Sequence, residues 1–510
     1  MTRKILSLLA VFMIVLFTGC SHETYDNYGD LTFEWENAEV VSSTQVIYPG
    51  MTKTYTFKAD NLKDVSWTDV PSGWTTGFDK EKNEIVVTAN GSAENNRKVF
   101  KLKMVIEGMA GDVINQELSL YFVDLGVNQF DDPAGTFVLN EGNMTTENGS
   151  LSYITPEGYM LEDIYKQING TELGNVCQDM CFHDGKIYII SQNGDENPVG
   201  TEFENDGMLV ILDARTLKKI DSYTKEDLNM LSWPSHIAVL DDNHVYIRDN
   251  GVKEGDNGSG KIWKLNTSDR SVTEIVGTTG VPKSPLYKRG DKLYTYVYEV
   301  KELFGMKFCY FKIIEIQSSS DEAVEYKTTI SKFVPVNVIP ANEDNVFWVL
   351  LKDENEEYYS IGKTKLLSYG LEQVKSASID DAPNNGASGV RFVSTDDNTF
   401  YYTSSTYVIK GSYSEESATG TPDGKKITVE TEVLADLMEL DQDAREVYNG
   451  LGIHPVTGHL YINTIKGMGN MYTTNQIWEF NLNGSMTEPV NKWSNYTKFP
   501  AGFFFPGENK

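Results

Sequence analysis

The residues of this sequence best suited to chemistry are neutral ones, placed where strands begin and end. Gln178, Trp233, His236, Asn385, Tyr448 and Asn449 precede or open predicted inner strands, and Asn143, Asn193, Tyr298 and Tyr472 lie at or beyond the ends of predicted second strands. Amides supply paired donors and acceptors, while Trp and Tyr supply flat apolar contact with a polar tip. That combination suits a large amide- or hydroxyl-rich molecule, and these positions form the expected ligand-binding set. Reaction chemistry has less to build on. A glycosidase needs two carboxylates roughly 5 to 10 Å apart, and only Asp179 and Glu446 fall near the expected central site. Asp441 and Asp443 would make at best half of a calcium site. The chain has no nucleophile elbow, phosphate loop, CxxC pair or HExxH motif. No catalytic residue, metal or cofactor is therefore expected, and the chain reads as a binding protein rather than an enzyme.

Such residues need a rigid carrier, and a repeat supplies it. Six times a short polar turn is followed by a strand whose third residue is aromatic: KIYIIS (186–191), HVYIRD (244–249), KLYTYV (292–297), VFWVLL (346–351), FYYTSS (400–405) and HLYINT (459–464). The repeat length of roughly 50 to 60 residues matches a four-stranded propeller blade lengthened by loops. TFVLNEG (136–142) has the same strand character but no hairpin before it, and AGFFFP (501–506) at the far end can supply the missing inner strand. A blade shared by both ends removes open sheet edges, so seven blades are expected. In a propeller the turns between first and second strands lie on one face. The longer loops, such as 192–207, 250–260, 299–306, 352–357 and 466–475, fall on the other, where binding is expected.

Five alternating segments, from LTFEWEN (31–37) to ELSLYFVDL (117–125), precede the repeats. Their spacing predicts an immunoglobulin-like β-sandwich over residues 31–125, with Trp67 and Trp74 used in packing. Residues 126–134, GVNQFDDPA, read as a linker, and the propeller as residues 135–510. The expected fold class is all-β: a sandwich, then a seven-bladed propeller closed by strands from both of its ends. Cys177, Cys181 and Cys309 read as buried free thiols.

Residues 1–19 have the form of a secretory signal: Arg3 and Lys4, an apolar run over 5–17, then Thr18 and Gly19 before Cys20. This resembles the lipobox of bacterial lipoproteins, which implies that Cys20 becomes the lipidated first residue. Residues 20–30 then read as an acidic tether. The net charge of −30 repels nucleic acid and anionic lipid, so membrane attachment is expected through the lipid alone.

The segments FVLNEGN (137–143), GSLSYI (149–154), LGNVCQDMCFHDGKIYIIS (173–191) and MLVILDARTLKKI (208–220) resemble the opening of the seven-bladed lipoprotein propellers of Bacteroides. Some of those are surface cobalamin-binding proteins that sit over TonB-dependent transporters. The resemblance implies an outer-membrane lipoprotein facing the cell exterior. It would capture a corrinoid, or alternatively a glycan of a polysaccharide-utilisation system, for such a transporter. A protein-binding accessory subunit and a propeller glycosidase or lyase are the remaining alternatives. The lipid expectation is testable directly. Cys20→Ser should abolish incorporation of labelled palmitate and release the protein from the membrane fraction; retained label would count against the lipobox.

Overall fold

The computed structural model describes residues 28–91, 93–198, 204–251, 260–303, 305–353, 358–386, 388–421, 424–484 and 486–507. Cys20, the signal segment 1–19 and most of the tether lie outside the described residues. The chain divides into two compact units between Asp124 and Leu125.

The first unit is a sandwich of two four-stranded sheets. One sheet orders Thr32–Trp35, Thr52–Asp60, Glu84–Thr88 and Thr75–Asp79; the other orders Gln45–Ile47, Val113–Phe122, Lys98–Gly108 and Leu62–Thr68. Gln45–Ile47 pairs parallel to Val113–Phe122, whereas the other pairings are antiparallel. Alternate residues of both sheets, among them Phe57, Ile85, Leu102, Ile106 and Leu120, are fully buried in one core. Trp74 is buried there and Trp67 packs against the same core, so both tryptophans serve packing.

The second unit is a β-propeller of seven sheets among the described residues. Blade 1 orders Pro500–Phe504, Thr136–Asn140, Ser150–Ile154 and Met160–Leu161. Blade 2 orders Asn175–His183, Lys186–Gly194, Leu209–Asp213 and Lys219–Tyr223. Blade 3 orders Pro234–Asp241, His244–Asp249, Lys261–Asn266 and Ser271–Glu274. Blade 4 orders Tyr287–Arg289, Lys292–Leu303, Met306–Gln317 and Ala323–Ser331. Blade 5 is built on Phe333–Pro340, Val346–Asp353 and Tyr359–Leu367, with Gly370–Leu371 and Lys375–Ile379 outside. Blade 6 orders Phe392–Ser394, Thr399–Ser404, Tyr407–Ser417 and Lys425–Asp436. Blade 7 orders Glu446–Ile453, His459–Ile465, Asn475–Asn481 and Asn491–Ser494. The split blade is formed as its sequence implied: Pro500–Phe504 pairs antiparallel with Thr136–Asn140.

The recurrent aromatic is the wedge between neighbouring blades. Tyr188, Tyr246, Tyr294, Trp348 and Tyr461 are at most 4% exposed, and each joins a cluster containing apolar residues of the following blade. Tyr188 also donates to Asp242 in the next blade's turn at 3.1 Å. Sheets stacked face to face bury their apolar residues between blades, so the core is distributed around the ring rather than gathered at its centre.

One expected loop is a hairpin instead, and a second long hairpin lies in blade 6. Residues 299–306 continue the register of blade 4 from Lys292↔Gln317 to Leu303↔Met306, turning at Gly305 with φ +75°. The insertion after Tyr407 pairs from Tyr407↔Asp436 to Ser417↔Lys425 and prolongs blade 6 on the short-turn face. Both stretches alternate β-formers with polar residues, a pattern that pairs readily once a partner strand is antiparallel to it. Residues 126–134 carry no strand, yet Phe130 is fully buried, packs edge-on against Tyr153 at 5.2 Å and donates its amide to Arg215 O at 3.0 Å. The segment read as a linker is thus packed on the propeller.

The closing strand should dominate stability. Phe503 packs with Val138, Tyr461, Ile477 and Trp493 across the seam of blades 7 and 1. Phe503→Ala is expected to cost about 3–5 kcal/mol in urea denaturation followed by tryptophan fluorescence, and a cost near zero would show that the seam is not a point of closure.

Candidate functional site

The inner strands of five blades bulge as they leave the long-loop face. Their registers slip between Asn175 and Asp179, Pro234 and His236, Pro335 and Asn337, Val447 and Leu451, and Pro500 and Gly502. Three of these slips follow a proline, which cannot donate to a ladder and so favours a bulge. A bulge re-aims the next side chains, and here they make a belt around the central channel. Asn449 Nδ2 donates to Glu141 Oε1 at 3.0 Å, and Tyr448 Oη to Glu141 Oε2 at 3.0 Å. The Glu141 carbonyl accepts from Cys177 N, and Asp179 accepts from His236 Nδ1 at 3.2 Å and Ile237 N at 3.0 Å. Lys283 donates to Gln178 Oε1 at 2.7 Å. Asn337 bridges Ser284, Gly389 O and Arg391 N, and Asn449 Oδ1 accepts from Ser388 N at 2.8 Å. The bonds pass through all seven blades. Below the belt the channel encloses about 440 Å³, lined by Gln178, Asp179, His236, Ser388, Asn449 and the apolar inner-strand residues.

His236 is 1% exposed. Its Nδ1 is held by Asp179, while its Nε2 has no hydrogen-bond partner among the described residues. Burial lowers its pKa below the ordinary 6.5, against the opposing pull of Asp179, so the ring is neutral. With Nδ1–H donated, Nε2 keeps a lone pair that is itself buried and to which no described residue donates.

Above the belt, where blade 7 meets split blade 1, lies the aromatic part of the rim. Phe499 holds the left-handed φ of +54°, rare for a bulky residue and typical of functional positions. Tyr472 stacks on it at 4.2 Å and 20°, and Tyr448 lies at 5.1 Å on the same ring. Tyr472 Oη donates to Glu147, which also pairs with Lys498 at 2.5 Å. Buried Asn475 fixes the arrangement: its Nδ2 donates to Tyr472 O, Thr473 O and Thr497 O, and its Oδ1 accepts from Thr497. Met468 and Met471 on the same loop are 50% and 49% exposed, and Met144 on the facing loop is 37% exposed. Flexible, polarisable methionines standing in solvent beside half-buried aromatic rings are characteristic of adaptable binding surfaces.

The structure therefore brings together five of the expected residues: Gln178, His236 and Asn449 in the belt, Tyr448 and Tyr472 on the rim. Asn143 is spent on its own loop, its Oδ1 accepting from Thr145, and Asn193 donates to Asn175 Oδ1 at 2.7 Å. Asn385 is exposed in the crossover into blade 6. Trp233 is 7% exposed and belongs to the interior rather than a stacking surface; Tyr298 sits on the blade 4 hairpin opposite Phe311, not in a loop. Asp179 is occupied by His236 and two backbone amides, Asp441 pairs with Lys492 and Asp443 with Lys466. Glu141, Glu147, Lys283, Asn337 and Phe499 were not anticipated. The two Pro-x-polar starts, Pro234-Ser-His236 and Pro335-Val-Asn337, were the available signal for the belt. The three thiols are buried and form no disulfide among the described residues, with Cys177 pushed up to about 12 by burial.

A family model described as a domain of unknown function (DUF5074) matches residues 134–506. No curated protein matches the sequence. Among solved structures, Kuenenia stuttgartiensis hydrazine synthase is 16% identical, with 59% of this chain and 76% of that chain covered and a TM-score of 0.35. The β-propeller domain of the trilobed protease from Pyrococcus furiosus is 10% identical, with 89% and 97% covered and a TM-score of 0.31. An oligogalacturonate lyase in complex with manganese is 12% identical, with 70% and 95% covered and a TM-score of 0.32. Likenesses this distant carry no argument about activity.

His454, fully buried, is the belt's counterpart at the seam: its Nδ1 accepts from Val456 N and Thr457 N, its Nε2 bonds Gly135 O, and burial lowers its pKa as well. As pH falls below 6.5 the unfolded chain takes up protons that the two folded imidazoles refuse, so stability is full above that value and declines beneath it. The slope should approach about 1.4 kcal/mol per pH unit for each histidine. Urea midpoints between pH 7.5 and 5.5 should fall, and the double variant His236→Asn, His454→Asn should show a visibly flatter profile.

Proposed function

The chain belongs to the family described as a domain of unknown function (DUF5074), and from that premise we propose that it is a surface lipoprotein that captures a nutrient ligand and passes it to a TonB-dependent outer-membrane transporter. In this reading Cys20 anchors it to the outer membrane through lipid alone, with the propeller facing the cell exterior. The ligand is held on the long-loop rim. The observation that carries the reading is the patch where blade 7 meets blade 1: the Tyr472–Phe499–Tyr448 rings beside exposed Met468, Met471 and Met144, with Asn449 and Glu141 at its inner edge. It joins apolar contact to directional hydrogen bonding, the composition expected of a small-molecule site.

A corrinoid, a broad macrocycle fringed with amides, is the favoured ligand. It exceeds the channel volume of about 440 Å³ several-fold, so it would lie across the rim with an edge toward the belt. A glycan is the second reading, favoured by the stacked Tyr472–Phe499 pair, since sugar faces pack on aromatic rings.

Calorimetry on lipid-free protein separates the two. Cyanocobalamin is tested first and a panel of neutral oligosaccharides second. Tyr472→Ala should weaken whichever ligand binds by at least about tenfold, with Tyr369→Ala, fully exposed beyond the third strand of blade 5, as a control. Silence from wild-type protein in both arms would overturn the capture reading in favour of a surface for another protein.

A further inference from the structure

The opposite end of the channel has different chemistry. A cavity of about 1070 Å³ opens among the short turns of blades 2, 4 and 5. It shares Phe182, Lys288, Arg289, Ala341 and Asn342 with the channel lining, so the two spaces adjoin. Four cations line it, and they fall into two kinds. Lys186 and Lys292 are neutralised, by Asp242 at 2.6 Å and Glu315 at 3.1 Å. Lys288 and Arg289 have no carboxylate partner among the described residues.

Neutral groups hold those two cations instead. Lys288 Nζ lies 3.1 Å from His183 Nδ1 and 3.1 Å from Val239 O. His183 is kept neutral by burial and by the ammonium beside it, so Nδ1 accepts and one N–H of Lys288 remains unused. Arg289 donates from Nη1 to Glu343 O at 3.2 Å and from Nη2 to Ala341 O. These carbonyls orient the guanidinium without cancelling its charge. Burial pushes the Lys288 ammonium below its ordinary pKa, the mark of a cation still lacking its counter-charge.

The carboxylates nearby do not fill that role. Asp241, close enough to Lys288 to favour its charge, accepts from His244 Nδ1 at 2.7 Å and Asn243 N at 2.8 Å. Asp131, Asp184 and Asp344 line the cavity from exposed positions, while Lys288 and Arg289 are half-buried deeper in. In a chain of net charge −30, two cations without carboxylate partners lining one cavity are unusual; as successive residues of a strand they leave its opposite faces, Lys288 toward blades 2 and 3 and Arg289 toward blade 5. A recessed cation pair in a low-dielectric funnel binds oxyanions more strongly than the same pair on open surface. We propose that the short-turn mouth of the channel is a second ligand site, which takes a small organic oxyanion drawn in by Lys288 and Arg289. The site lies on the face opposite the Met-aromatic rim and does not depend on what the rim binds.

The test is calorimetry at low ionic strength with citrate and inorganic phosphate as probes and galactose as the neutral control. Wild-type protein should bind at least one of the two anions and not galactose. A citrate response identifies a carboxylate receptor and a phosphate response a phosphate receptor. Lys288→Met and Arg289→Gln should each weaken that binding by at least about tenfold, whereas Lys186→Met, whose charge is already paired, should change it little. Lys288→Gln keeps a donor toward His183 and Val239 without the charge, so it serves if the methionine variant melts early. The proposal fails if neither anion binds, if galactose binds equally well, or if the folded Lys288 and Arg289 variants bind as wild type does.

Discussion

A circuit of hydrogen bonds holds the blades at a common level. Apolar packing between sheets is strong but nearly non-directional, and seven sheets that only had to bury Tyr188, Tyr246, Tyr294, Trp348 and Tyr461 could slide against one another at little cost. The belt removes that freedom. Glu141 binds blade 7 through Asn449 and Tyr448 and blade 2 through its own carbonyl; Asn337 performs the same service between blades 4, 5 and 6. A buried polar group without its partner costs about 1–3 kcal/mol, so every slip is penalised at several points together. The rim inherits its order from this level: Tyr448 and Asn449 are two neighbours on one bulge, one facing the aromatic stack and the other the belt.

The architecture could be read from the sequence because it is periodic and local. An aromatic three residues into each second strand, following a polar turn, states the blade without reference to any other blade. The unmatched strand at 136–142 and the apolar end at 501–506 declare the split blade in the same way. Positions whose meaning depends on a partner far along the chain were less legible. Glu141 meets Tyr448 and Asn449 more than 300 residues away, and nothing local marks it. Trp233 reads as an exposed stacking ring because it precedes a strand, yet the packing around the start of blade 3 buries it. Tyr298 reads as a loop residue because Lys301, Glu302 and Gly305 look like a turn, whereas the pairing partner at 306–317 extends the strand through them.

The channel is polarised along its axis. At the long-loop end its lining is amide, hydroxyl and a neutral imidazole; at the short-turn end it is an ammonium and a guanidinium held by carbonyls. Net charge conceals this difference, since a chain with 74 acidic and 44 basic residues repels anions at long range. Within a funnel the nearest few charges dominate, because screening shortens the reach of the rest to about 8–10 Å.

The shared first blade also governs when the propeller can form. Strand Thr136–Asn140 is the first of the propeller's described strands to be made and its inner partner Pro500–Phe504 the last, so until the other six blades have been made one blade lacks its central strand and the circuit through Glu141 stays open. Blades 2 to 7 can assemble as an arc, but an arc has two exposed edges and an unfinished belt. Closure is then a single late event joining segments more than 350 residues apart, a contact of high order and therefore slow. A propeller built this way stays an open arc until its closing strand has been made, which makes that one strand a condition of the ring's stability.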